Sequence, residues 1–150
     1  MARLSLLRDT GPLECFSMGH TLWIQVRGCP AETHDDMNVL ERLATELDAL
    51  AERRGVAKLS SFFDYSELER AYDPDGEAIC EPCWFDAKIG LAAFTMLRST
   101  LEHEFSALAW TAGPSRSHWP TTVLDELRRC EQALLDAVAK GREFRLLVVP

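Results

Sequence analysis

The stretch that most constrains the fold is residues 84–104, WFDAKIGLAAFTMLRSTLEHE. Its apolar positions recur with the 3.6-residue period of a helix: Ala87, Gly90, Leu91, Phe94, Leu97 and Leu101. A helix with so broad an apolar stripe belongs in the middle of a small domain, between other helices and a sheet. Gly90 costs about 1 kcal/mol relative to Ala in a helix interior, so we expect a neighbouring backbone to approach closely there.

Two strands are predicted near the ends of the chain. Residues 21–27, TLWIQVR, alternate in character, with Leu22, Ile24 and Val26 on one face. Residues 143–149, EFRLLVV, carry β-branched side chains at their end and are expected to pair with the first strand.

Two further long helices are predicted. One is capped by Thr33 or Asp35 and runs to about Arg54, where Gly55 follows as the terminating residue. The other is capped by Thr122 and covers residues 123–140. Between them, the adjacent Phe62 and Phe63 are interpreted as aromatic plugs on short helical turns, in preference to the lining of a ligand pocket.

These elements predict one globular α+β domain over residues 1–150. Its small antiparallel sheet has two to four strands, and three main helices pack on one face. The acidic pairs Glu67/Glu69 and Asp125/Glu126 are interpreted as solvated helix faces.

Composition excludes several classes of function. A formal net charge of −8 argues against nucleic-acid binding, which needs a clustered basic face. No run approaches the roughly 20 apolar residues of a membrane span, and the first residues lack the apolar core of a signal peptide. We therefore expect a cytoplasmic protein. Its five cysteines are odd in number and irregularly spaced, which indicates free thiols in a reducing compartment.

Cys80 and Cys83 form a C-x-x-C pair just before the central helix. A structural zinc site needs four ligands, and a residue such as His118 would have to come from elsewhere in the chain. A thioredoxin-like redox site needs a preceding strand, which the pattern does not predict. Ordinary loop thiols are the interpretation we favour, and no cofactor, metal or catalytic residue is expected.

Several segments together resemble a known family. They are ELDALAERRGVAKLSSFF, the WFDAKIGL motif, a final amphipathic helix and a closing apolar strand. In this order they resemble a family of small, uncharacterised bacterial proteins, over about residues 35–150. The resemblance implies a compact α+β domain whose signature is Trp84, Phe85, Asp86, Gly90 and Leu91, and it implies no activity, cofactor or catalytic residue. Cys80 and Cys83 depart from the family pattern.

The sequence favours a non-enzymatic protein-binding module over an enzyme. The acidic charge suits a basic partner, although solubility alone is the explanation we favour for the charge itself. An immunity-type role is one form of the binding function, and a homodimer is left open. The candidate interaction surface is formed by Trp23, Trp84, Asp86, His118 and Trp119. Asp86 is also placed to cap the central helix, and capping is the role we expect of it. The alternative is a small thiol- or metal-dependent protein that uses Cys80 and Cys83.

Overall fold

A computed structural model describes residues 20–29, 36–72, 81–104 and 119–150. In chain order its elements are β1 (Thr21–Val26), α1 (Asn38–Arg42), α2 (Ala44–Arg54), a 3₁₀ turn (Leu59–Phe62), β2 (Phe63–Asp64), α3 (Ser66–Tyr72), α4 (Ala87–His103), α5 (Trp119–Ala139) and β3 (Phe144–Val149). The predicted α+β class with a small sheet is confirmed. Within the described residues, no helix is both long enough and apolar enough to cross a bilayer.

The sheet is built around the last described strand, with the order β1-β3-β2. β1 pairs with β3 in antiparallel register from Thr21 opposite Val149 to Val26 opposite Phe144, as the sequence predicts. β2 pairs with the other side of β3 in parallel, with Phe63 opposite Leu146. The sheet is therefore mixed and not wholly antiparallel as predicted, because helices intervene between β2 and β3 and return the chain in the same direction.

The segment before α4 pairs with the same edge of β3 as β2 does. Phe85 forms an isolated antiparallel bridge with Phe144: the N–H of Phe85 donates to the carbonyl of Phe144 at 2.8 Å, and the reverse bond is 3.0 Å. The rings of Phe62, Phe85 and Phe144 meet there, with centroids 5.1 to 6.5 Å apart. This aromatic cluster joins the 3₁₀ turn, the start of α4 and the sheet, and it confirms Phe62 as a packing residue.

All six residues of β3 are buried, so the strand is covered on both faces. Phe144, Leu146 and Val148 belong to the main core. That core also contains buried side chains from the helices, among them Leu40, Leu47, Leu50, Phe94, Leu97, Leu101, Leu127 and Leu134. Arg145 and Leu147 alternate with the core residues and therefore face the opposite side of the sheet.

The central helix α4 packs against α5 in antiparallel orientation. Arg98 of α4 forms a salt bridge with Glu131 of α5, and Glu102 of α4 forms another with Arg128 of α5. Gly90, one turn from the start of α4, lies against the ring of Phe144. A Cβ at this position would overlap that ring and would contact Leu134 at 3.4 Å. The expected close approach at Gly90 is therefore real, but the neighbour is an aromatic ring and not a backbone.

The helix predicted to end at Arg54 is two helices. The chain turns at Leu43 (φ −96°, ψ 12°), which separates α1 from α2, and α1 begins after Met37. The proposed caps Thr33 and Asp35 lie outside the described residues. The predicted end is correct, since Gly55 adopts the left-handed conformation with φ 74°.

The final helix begins earlier than predicted. α5 starts at Trp119, so Thr122 lies within its first turn and is not its cap. Pro120 is compatible with this start, because the first N–H groups of a helix have no partner within the helix.

Candidate functional site

The aromatic residues of the predicted interaction surface are held by internal contacts. Trp84 is half-buried, and its ring lies 4.7 Å from the guanidinium carbon of Arg145 and 5.6 Å from that of Arg27. Trp23 is also half-buried and donates its ring N–H to Asp36 at 2.7 Å. Trp119 starts α5 and packs against the core.

Asp86 performs the predicted capping role. It adopts an extended conformation immediately before α4, and its side chain accepts a hydrogen bond from the backbone N–H of Lys88 at 2.8 Å. The cap satisfies one of the free donors of the first turn and places a negative charge at the positive end of the helix dipole.

The thiol and metal hypothesis depends largely on residues outside the described ranges, namely Cys80 and His118. Cys83 is exposed, and its backbone N–H donates to Asp64 at 3.3 Å. Among the described residues no group of three or more His, Cys, Asp or Glu side chains is arranged to hold a metal ion. The use of Cys80 and Cys83 in metal or redox chemistry stays a prediction.

The strongest electrostatic feature of the sheet is the buried pair of Asp64 and Arg145. The two residues are 3% and 7% exposed, and Arg145 donates directly to the carboxylate of Asp64. Arg145 also donates to Gln25 at 2.7 Å, and Asp64 accepts from the backbone N–H of Ser66 at 2.9 Å. The ring of Trp84 covers the guanidinium of Arg145 on the face of the sheet opposite the main core, and both charged residues are buried there.

The pKa of Asp64 follows from these contacts. Burial alone would raise it, but hydrogen bonds from Ser66, Arg145 and Cys83 outweigh that effect and lower the pKa below its ordinary value of 3.8. The sequence carries a signal for the pair, because an arginine inside the apolar run FRLLVV needs a buried partner.

A second buried carboxylate lies among the helices. Glu126 on α5 is 3% exposed and accepts the backbone N–H of Leu40 in α1 at 2.7 Å. It thereby caps a helix distant in sequence, and the prediction that it is solvated is wrong. The missed signal is its spacing, since Glu126 falls on the same helical stripe as the buried Val123 and Cys130.

Burial raises the pKa of Glu126 above 4.5. Hydrogen bonds from the backbone N–H groups of Leu40 and Val39, and the charge of Arg129, offset this effect only in part. Burial also raises the pKa of the Cys130 thiol, one turn further along α5, and the sulfur lies 3.4 Å from that of Met37. This environment suits an inert thiol and not a nucleophile.

One exposed aromatic side chain of the described surface is influenced by the charges of two acids. Tyr65, between β2 and α3, is 48% exposed. Its pKa is raised by partial burial and by the negative charges of Glu41 on α1 and Asp48 on α2. Asp48 is fixed by the backbone N–H and hydroxyl of Ser60, at 3.0 and 2.5 Å. We call Tyr65, Glu41 and Asp48 the acidic tyrosine site.

Glu41 is the incompletely satisfied member of this site. Its Oε1 atom is buried and, within the described structure, has no hydrogen-bond partner. Burial raises the pKa of Glu41, and the charge of Arg42 offsets this only in part. A buried carboxylate oxygen without a donor disfavours the ionised form, in agreement with the raised pKa. The sequence does not reveal this site, because its members come from three separate elements.

Comparison with known proteins adds no identity. No protein-family model matches the chain, and neither a curated protein nor a solved structure matches it.

Proposed function

We propose that the protein is a non-enzymatic binding module for a basic protein partner. The observation that supports this proposal is the acidic tyrosine site, in which an exposed aromatic side chain lies within the electrostatic influence of two carboxylates. A cytoplasmic location, an immunity-type role and membership in the family of small bacterial proteins that the sequence resembles are parts of the same proposal.

The site suits an arginine or lysine of the partner. A cation over the face of Tyr65 gains a cation–π interaction, and exposed aromatic rings are frequent hot spots of protein interfaces. The carboxylates of Glu41 and Asp48 supply the opposite charge. An arginine has the further advantage that its fork of donors can bind more than one carboxylate oxygen.

The charge of the whole chain favours the same kind of partner. A net charge of −8 attracts a basic protein over long range and raises its rate of association. Salt screens this attraction over a Debye length of about 8 Å at physiological ionic strength. We therefore expect binding whose association rate falls as salt is added.

The test is a capture experiment from the host lysate at physiological salt, with the wild-type chain and matched variants. A basic protein should bind the wild type stoichiometrically and be lost with Tyr65→Ser. With the isolated partner, Tyr65→Ser should weaken binding by about 30-fold, the size of a hot-spot effect. The control Ile89→Ser removes another exposed apolar side chain and should bind normally.

A second pair of variants tests the charge. Glu41→Gln and Glu69→Gln each remove one negative charge, but only Glu41 belongs to the acidic tyrosine site, while Glu69 is an exposed residue of α3. Glu41→Gln should weaken binding more than Glu69→Gln does. Equal effects, or a partner that Tyr65→Ser still retains, would contradict the proposed site.

A further inference from the structure

The two carboxylates of the acidic tyrosine site have no counter-charge bound to them. Within the described residues, neither Glu41 nor Asp48 forms a salt bridge. By contrast, Glu52 lies one turn further along α2 than Asp48 and pairs with Lys58 at 3.3 Å. The acids of this site are therefore the ones on α1 and α2 whose charge a partner can still neutralise.

The groups that do act on these carboxylates leave their charge largely in place. Asp48 accepts hydrogen bonds from the backbone N–H and the hydroxyl of Ser60, which are neutral donors. The positive charge of Arg42 acts on Glu41, but its effect on the pKa of that carboxyl is smaller than the effect of burial. Both negative charges also act on Tyr65, so a cation placed over its ring lies within their field.

The surroundings of the Tyr65 ring are charged but only partly hydrated. About half of the residue is covered, and the half-buried ring of Phe63 contacts it with centroids 6.2 Å apart and planes at 70°. Phe63 has no polar side-chain atom, so this neighbour offers water no hydrogen bond. Partial burial is also the largest of the effects that raise the pKa of Tyr65.

A site of this kind distinguishes between the two basic side chains. The ammonium of a lysine is a compact and strongly hydrated charge, so it loses favourable hydration when it approaches a partly covered ring. The guanidinium of an arginine is planar and more weakly hydrated, and it stacks on aromatic rings. Both side chains carry one positive charge, so the two carboxylates attract them alike and the ring decides between them.

We infer that the acidic tyrosine site selects arginine over lysine, and that a guanidinium of the partner stacks on the exposed ring of Tyr65. This inference rests on the proposed function, since it narrows the basic partner to a protein that presents an arginine to this site. A partner that presents a lysine there keeps the attraction of the two carboxylates but gains less from the ring.

The test uses two small probes of equal charge, N-acetyl-arginine amide and N-acetyl-lysine amide. Each is titrated into the full-length chain at pH 7 and constant ionic strength, and backbone amide signals of residues 63–67 are followed by NMR. The arginine probe should shift these signals saturably. The lysine probe should need at least about a 3-fold higher concentration for half-saturation, the size of a cation–π contribution at an exposed site. Amide signals of α5 serve as the internal reference.

Two variants at one position show whether the ring is the source of the selectivity. Tyr65→Phe keeps an aromatic face and should retain the preference for the arginine probe. Tyr65→Ser removes the face and should bind both probes equally weakly, while its unchanged amide signals in α5 show that it is folded. Equal half-saturation by the two probes in the wild type, no saturable shift with the arginine probe, or a preference that persists in Tyr65→Ser overturns the inference.

The outcome is distinguishable from that of the capture experiment. A basic partner that is lost with Tyr65→Ser, together with equal binding of the two probes, supports the proposed function and overturns only the selectivity for arginine. An arginine preference that depends on Tyr65, in a chain that captures no basic protein, supports the selectivity and counts against the proposed function.

Discussion

Asp64 and Glu126 are both almost completely buried, but their surroundings affect their ionisation in opposite ways. Asp64 lies on the face of the sheet opposite the main core, where it accepts hydrogen bonds from Arg145, Ser66 and Cys83, and its pKa is lowered. Glu126 lies between α5 and α1 with backbone donors, and its pKa is raised. Burial acts on both in the same direction, so the difference comes from the partners. The hydrogen bonds of Ser66, Arg145 and Cys83 together outweigh desolvation at Asp64, whereas those of Leu40 and Val39 with the charge of Arg129 do not at Glu126.

The largest effect is expected from removing the cation that binds Asp64. Arg145→Met leaves the carboxylate of Asp64 buried without its counter-charge and should lower the free energy of unfolding by about 3–5 kcal/mol. Urea unfolding at pH 7 measures the loss. The double variant Asp64→Asn/Arg145→Met should recover at least about 1 kcal/mol of it, because no unpaired charge remains. A double variant less stable than Arg145→Met would contradict this account of the pair.

Removing the second carboxylate should cost less, since it leaves no charged group buried without its hydrogen-bonded counter-charge. Glu126→Ala leaves the N–H of Leu40 buried without an acceptor and should cost about 1–3 kcal/mol. The matched control is Asp125→Ala, whose side chain is exposed and pairs with Arg128 one turn further along α5. Its effect in the same urea experiment should stay below about 0.5 kcal/mol. Equal losses would mean that the bond to Leu40 contributes nothing.

A third variant compares a remote cap with a local one. Asp86→Ala removes the cap of α4, which is exposed and adjacent in sequence, and should cost about 1 kcal/mol. Thermal unfolding followed by circular dichroism at 222 nm provides the comparison. The melting temperature should fall less than in Glu126→Ala, because water can replace the lost acceptor at Asp86 but not at Leu40.

The smallest and most diagnostic effect concerns the charge of Glu126 alone. Glu126→Gln keeps an oxygen acceptor for Leu40 but cannot ionise. Since the folded-state pKa of Glu126 is raised, its ionised form destabilises the fold at pH values above that pKa, and the penalty disappears below about pH 4.5. We expect Glu126→Gln to be slightly more stable than the wild type at pH 7 and equal to it in acid.

Urea titrations at several pH values measure this difference. Asp64→Asn should show the opposite trend, because the stability that ionised Asp64 contributes is present above pH 3.8 and is lost as the pH falls through its lowered pKa. If Glu126→Gln were less stable than the wild type at pH 7 and the difference vanished in acid, the pKa of Glu126 would be lowered and the comparison would be wrong.

Much of the fold could be predicted from local patterns. The period of the central helix, the alternation in β1, the cap at Asp86 and the left-handed Gly55 each depend on residues near one another in sequence. The pairing of β1 with β3 was accessible because the two segments are the clearest strands in the chain.

What sequence reasoning missed depends on contacts between distant residues. β2 is only two residues long and forms by pairing with the edge of β3, so the sequence contains no periodic pattern that predicts it. Glu126 resembles its solvated neighbour Asp125 until α1 is seen to lie against it. The acidic tyrosine site combines three elements, and the burial of Glu41 Oε1 has no signature in the sequence.

The position of β3 has a consequence for the order in which the protein folds during synthesis. β3 is the last described strand to leave the ribosome, yet it lies between β1 and β2 and accepts Phe85 as well. Until it emerges, β1 and β2 have no partner in this sheet, and Arg145 is not available to Asp64. We therefore expect a nascent chain whose helices form early, while its aromatic cluster and its sheet assemble together in one late step that relies on contacts between distant residues.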